Sequence, residues 1–384
     1  MTALADTPPL YLRQQPAERL PPPAARVGAA AWLRANLFSS AGNSVLSLLC
    51  LLFIVWATAQ LLRFFVIDAV WSGADREACL ASAAHPHPGA CWAFVRVWFS
   101  YFVYGFYPAG ERWRVNLFFL ALAFGVGWLL RLSAPRRDLG AVYFFVVLPI
   151  LSLILLRGWP AIGLPVVPTS LWGGMLVTII VAAAGMVFSL PLGILLALGR
   201  RSHIPVVRLL AVIFIEFVRG VPLLTVLFMA SVMLPLFVPE YLAPDKLVRA
   251  LIGVALFASA YMAEVIRAGL VAIPRGQYEA ARALGLSYWR MMPLVILPQA
   301  LRVTLPNVVN TFIGLFKDTT LVFAVGIFDF LRTIEAARGD PRWAAPNTSV
   351  TGYAFAALFY FAFCYGMSRY ARRVELRLAR AGRR

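Results

Sequence analysis

Three sets of ionisable residues stand inside apolar runs of this chain. Glu216 and Arg219 lie three residues apart, and so do Glu264 and Arg267; Lys317 and Asp318 adjoin and are followed by Thr319 and Thr320. Residues three apart share one helix face. Ionisable groups at membrane depth are costly unless they are paired or line a wet cavity. Two roles fit, and neither excludes the other: structural ion pairs between helices, and a polar path carrying both signs. Gly220-Val221-Pro222, next to Arg219, predicts a break in its helix, and broken helices often mark transport sites.

A fourth constellation is Cys79 and Cys91, which flank His85-Pro86-His87-Pro88-Gly89. Outside the cytoplasm, two cysteines around such a turn-rich insert form a disulfide. Two free thiols and a cysteine–histidine metal site are the other readings. The histidines adjoin prolines without recognisable metal spacing, which favours the disulfide. Cys50 and Cys364 lie in apolar runs and read as packing residues.

The polar interruption from Glu279 to Pro298, EAARALGLSYWRMMPLVILP, differs in kind. A segment of this length cannot sit exposed in hydrocarbon. Arg275, Arg282 and Arg290 predict that it is cytoplasmic. Its order is helix, glycine, helix: Glu279–Leu284 are good helix formers, Gly285 permits a sharp bend, and Ser287 suits a helix N-cap. The result is a compact knob presented to a partner.

The elements that must position these residues follow from composition. Of 384 residues, 61% are hydrophobic and 14% charged, which excludes an ordinary soluble domain and predicts an all-α polytopic membrane protein. The net charge of +18 is almost entirely arginine, since Lys246 and Lys317 are the only lysines. The arginines cluster at span ends. That pattern predicts positive-inside topology and contact with anionic lipid headgroups, with no nucleic-acid role.

Eight spans are expected, near 45–62, 115–132, 142–156, 172–198, 212–238, 251–270, 305–331 and 351–370. Residues 1–43 read as a disordered cytoplasmic tail without a secretory signal. Residues 44–160 read as a three-span extension whose loop 63–114 is extracytoplasmic. Residues 161–371 form a five-span core with the polar loop 274–298, and 372–384 a basic cytoplasmic tail. Trp92–Pro108, aromatic with an embedded Arg96, reads as an interfacial helix. Were it a span, the arginine-bearing N-terminal tail would fall outside, so eight spans with both ends inside are preferred over nine.

Glu279-Ala280-Ala281, Gly285 and the ending Ile296-Leu297-Pro298 resemble the EAA loop of ABC importer permeases. Leu171–Gly174 with Thr178, Gly193–Ser202, Ile215–Leu224, Ala263-Glu264 with Arg267 and Gly269, Ile273-Pro274, Gln277, Leu297–Ala300 and Leu315–Leu321 are similar to the polar amino acid branch of that family. The resemblance covers about half the chain. The longer N-terminal part resembles the M-type membrane subunit of general L-amino acid transporters.

The resemblance implies a type I importer permease core in a bacterial inner membrane. It implies a second, different permease subunit, two ATPase subunits and a periplasmic amino-acid-binding protein as partners. In that family the loop docks on the ATPase, so Glu279, Ala280, Ala281, Arg282, Gly285 and Arg290 become the coupling residues. Glu216, Arg219, Glu264, Arg267, Lys317, Asp318, Thr319 and Thr320 become candidate lining of a path for a zwitterionic substrate. The chain has no G-x-x-x-x-G-K-[ST] loop, so ATP and Mg are expected on the partner ATPase, with no cofactor, metal or catalytic residue here. A gradient-driven secondary amino acid transporter is the alternative, and a membrane enzyme would need a catalytic constellation.

Overall fold

The computed structural model describes residues 28–83, 86–131, 134–239 and 244–381. The tail up to residue 27, His85, Arg383 and Arg384 lie outside the described residues. Among the described residues the chain is helical, with three isolated bridges and no strand.

The chain divides into two units after Ile67. The first carries α1 (Ala29–Asn36) and α2 (Ala41–Leu62), with a wider helical turn continuing to Ile67. Ser40 caps α2 by accepting a hydrogen bond from the Asn43 amide at 3.2 Å. Apolar side chains cover α2 on every face and none is buried, the composition of a helix surrounded by lipid.

The second unit begins with α3 (Trp92–Tyr104), α4 (Arg112–Leu130), α5 (Arg137–Val142), α6 (Leu148–Arg157), α7 (Gly174–Arg200) and α8 (Pro205–Gly220). It continues with α9 (Leu223–Phe228), α10 (Leu234–Phe237), α11 (Lys246–Ala272), α12 (Arg275–Ala283), α13 (Tyr288–Met291), α14 (Leu297–Asp318), α15 (Phe330–Arg338) and α16 (Pro346–Ala381).

Among the described residues, seven helical stretches are long and apolar enough to cross a membrane. They are Ala41–Ile67, Ala109–Leu130, Asp138–Arg157, Gly174–Arg200, Lys246–Ala272, Tyr288–Val325 and Pro346–Leu378. One helix pair, Pro205–Gly220 and Leu223–Phe237, passes the same test together but is bent by 106°, which makes eight crossings if the pair is one span. Pro222 lacks an N–H and drives the residue before it out of helical geometry, and Val221 is extended, at φ −108° and ψ 136°.

Small residues let the central helices approach. α7 packs most extensively on α11. A β-carbon at Gly193 would run into the Met262 side chain and the Ala263 backbone, so glycine sets that spacing.

α3 has 13 residues, about 20 Å of helix, too short to cross. It is not one of the crossing helices, as expected, and α7, α15 and α16 pack on it. It buries Ala93, Phe94, Val95, Phe102 and Val103, and Phe94 meets the rings of Phe102 and Trp343.

The seventh span starts at Tyr288, earlier than expected, and ends at Val325, where Gly326 turns left-handed at φ 71°. Asp329 then caps α15, accepting from the amides of Leu331 at 3.2 Å and Arg332 at 3.1 Å. Burial pushes the Asp329 carboxyl from 3.8 up to about 6, outweighing those two bonds. The folded state thus holds this proton more tightly than the unfolded chain. The stability it confers is whole below about pH 4 and is lost as pH rises to about 6. The melting midpoint of the purified protein is expected to fall across that window. Asp329→Asn, which keeps a cap acceptor, should flatten the fall; an unchanged slope would reject the assignment.

Cys79 and Cys91 are joined by a disulfide, both buried, with Cα atoms 5.7 Å apart. The segment is fastened to the last helix and to the turn before it: the Cys91 amide donates to Thr351 Oγ1 of α16 at 2.8 Å, and the Arg76 amide to the Arg342 carbonyl at 2.8 Å. Closing so short a loop stabilises by about 2–4 kcal/mol. Cys79→Ser with Cys91→Ser should therefore expose residues 68–91 to protease well before the helices. Equal protection of both would contradict this.

Candidate functional site

Two arrangements carry polar groups toward the end of the helices where the polar loop lies. The first is the loop between α11 and α14. α12 closes with two hydrogen bonds of a Schellman turn: Leu286 N–H to the Ala281 carbonyl at 3.1 Å, and Gly285 N–H to the Arg282 carbonyl at 2.9 Å. Gly285 sits at φ 74°, where a side chain is strained, yet nothing lies within 4 Å of a would-be β-carbon. Glycine is there for its backbone and not for lack of room. Ser287 occupies the N-cap position of α13 without a side-chain cap bond.

The two alanines of the triplet part company. Ala281 is buried in a cluster with Leu270, Ile273, Met291, Met292 and Ile296, which seats the loop on the spans. Ala280, Glu279, Arg282, Gly285 and Arg290 are exposed. Tyr278 ties the loop down: its hydroxyl donates to the Leu270 carbonyl at 3.0 Å and accepts from Arg201 at 3.3 Å. Leu284 and Trp289, 80% and 79% exposed, project from the loop. The linear reading passed over both; the available signal was two large apolar residues in a polar stretch.

The second arrangement is a charge cluster centred on Glu264 of α11. Arg200 Nη1 approaches Glu264 at 2.8 Å, Arg267 Nη2 at 2.9 Å and Arg219 Nη1 at 3.9 Å. Arg200 Nη1 also meets Glu216 at 2.7 Å. Three helices are bridged, and three guanidiniums face two carboxylates. Glu264 lies eight residues from the end of α11, about 12 Å along the axis. Its side chain is 17% exposed, whereas Arg219 and Arg267 remain 36% and 37% exposed.

Glu264 and Arg267 pair across their i,i+3 spacing. Glu216 and Arg219 do not pair with each other; each turns to another helix. Arg200, one of the arginines that cluster at span ends, is the bridge between Glu216 and Glu264.

Lys317, Asp318, Thr319 and Thr320 stand apart, at the far end of α14. The Thr319 hydroxyl donates to the Phe316 carbonyl at 2.8 Å and the Thr320 hydroxyl to the Lys317 carbonyl at 3.0 Å, both within the helix. Among the described residues, no group of three histidine, cysteine or acidic side chains is placed to hold a metal ion.

Apolar spans that hold charges between them, with a capped polar loop at one end, define a membrane transport subunit. Residues 189–380 match the binding-protein-dependent transport system inner membrane component family, and the chain belongs to it. It is 48% identical over 346 residues to the inner membrane amino-acid ABC transporter permease protein YhdY of Escherichia coli (strain K12), covering 90% of this chain and 92% of that one. It is 38% identical over 429 residues to the glutamate/glutamine/aspartate/asparagine transport system permease protein BztC of Rhodobacter capsulatus, covering 96% and 98%. A solved amino acid ABC transporter with histidines aligns with 53% of this chain and 92% of its own, at 30% identity and a TM-score of 0.47. This chain is an amino-acid ABC transporter permease, a multi-pass inner-membrane protein.

Proposed function

We propose that this chain is the membrane subunit of an ATP-driven importer of L-amino acids, polar or broad in range. A periplasmic binding protein delivers the substrate. A second, different permease subunit completes the path, and two ATPase subunits carry ATP and Mg. Both termini are cytoplasmic.

One observation carries the reading: the Schellman-capped loop is anchored to the spans through Ala281 while Glu279, Leu284, Gly285 and Trp289 face outward. A partner gripping that tip would pull on α11 and α14 directly, and this is the kind of two-state coupling that ATP binding requires. Glu279, Arg282 and Arg290 offer charges to such a partner. Arg200, Glu216, Arg219, Glu264 and Arg267 both pin the helices and line the inward end of the path. Lys317, Asp318, Thr319 and Thr320 line its other level.

The test is uptake of labelled amino acids into proteoliposomes holding the complete set of subunits, with ATP supplied on the ATPase side. Uptake that needs ATP and the binding protein supports the reading. Uptake without the ATPase subunits, and abolished by an ionophore, would replace it with gradient-driven transport.

A further inference from the structure

A cavity of about 510 Å³ lies between the polar loop and the cytoplasmic ends of α7 and α11. Its apolar wall includes Leu270, Met291 and Met292. Arg201, His203, Arg275 and Arg282 line its polar part, with Glu279 as the one acidic residue. Among the described residues, none of these three arginines is ion-paired; Arg201 leans instead on the Tyr278 ring and hydroxyl.

Three features bear on an occupant. Three guanidiniums against one carboxylate call for an anion. The lining combines cationic and apolar side chains in one cavity, which suits an amphiphile better than a free ion. Val271, also on the lining, is 64% exposed at the end of a span, where acyl chains reach. Basic pockets between helices on the cytoplasmic side bind anionic lipid headgroups.

We infer that this cavity is a binding site for the phosphate headgroup of an anionic phospholipid. The lipid would enter from the cytoplasmic leaflet and brace the loop against α7 and α11. The inference rests on the cytoplasmic placement of the loop, but its readout does not depend on transport.

The experiment takes the assembled transporter from phosphatidylcholine bilayers with and without phosphatidylglycerol and counts retained lipid by native mass spectrometry. Wild type should retain phosphatidylglycerol in preference to phosphatidylcholine. Arg201→Gln with Arg275→Gln should weaken that retention roughly thirtyfold, the scale of two lost arginine–headgroup attractions. Arg201→Lys with Arg275→Lys should keep most of it.

Unchanged retention in the glutamine variant overturns the proposal. So does equal loss in the lysine variant, which would mark a structural defect. Competition by soluble glycerol phosphate as effective as that of the lipid would make this a free-anion site. Loss of ATPase co-purification with lipid retention intact would make it a protein contact.

Discussion

Gly285→Val should reduce amino-acid uptake by the reconstituted transporter at least about tenfold while its membrane abundance holds. The argument is confined to the backbone. Gly285 sits at φ 74° with open space around it, so the substitution meets no clash. A β-branched residue in that left-handed well costs about 1–3 kcal/mol. The chain relieves the strain by leaving it, and the two bonds that close α12 then open. Leu284 and Trp289 lose their fixed direction although Ala281 keeps the base of the loop seated.

A loss of 1.4 kcal/mol is about tenfold in an equilibrium constant, so a misdirected tip suffices. Gly285→Asn is the control, because asparagine tolerates the left-handed region, and it should transport nearly as wild type. Glu279→Lys, which reverses an exposed charge without touching the cap, should lower uptake and ATPase association together. Equal transport by the valine and asparagine variants would sink the role given to the turn.

Glu264→Gln should lower both stability and uptake. It removes the carboxylate on which Arg200, Arg219 and Arg267 converge and leaves three guanidiniums to Glu216 alone. Stranding a fully buried charge costs about 3–5 kcal/mol. These arginines keep a quarter to a third of their side chains exposed, so solvent screens part of that, and about 2 kcal/mol is expected. The melting midpoint in detergent reads it.

Adding Arg267→Met removes one of the stranded charges and should recover part of the stability. If stability returns and uptake does not, the cluster lines the path as well as pinning helices. If both return, pinning is its whole role. A melting midpoint unchanged in Glu264→Gln would contradict the hub geometry itself.

The loop was legible in the linear chain because each of its signals is local. Alanines and arginines favour a helix, glycine ends it, and prolines follow. Which alanine faces the spans was not legible. Ala280 and Ala281 are the same residue type, and only the position of Met291 and Met292, which return from across the turn, buries the second. For Cys79 and Cys91 the absence of metal spacing favoured the disulfide, but the approach of the two cysteines to each other and to the start of α16 is not written in the local sequence.

α3 shows the limit from the other side. Its rings and Arg96 suit a headgroup layer or a protein groove equally well. Trp343 and Phe355, both more than two hundred residues away, pack on Phe94 and Phe102 of this helix.

What the amino-acid order alone determined is the membrane class, about eight spans and the break at Pro222. Hydropathy sums along the chain, and in lipid each helix must satisfy its own backbone hydrogen bonds, so helices are decided segment by segment. What the tertiary structure decided is charge partnership. Glu216 had a suitable neighbour three residues on and took Arg200 instead, because the packing of α7, α8 and α11 brings that guanidinium within 2.7 Å of Glu216 and 2.8 Å of Glu264.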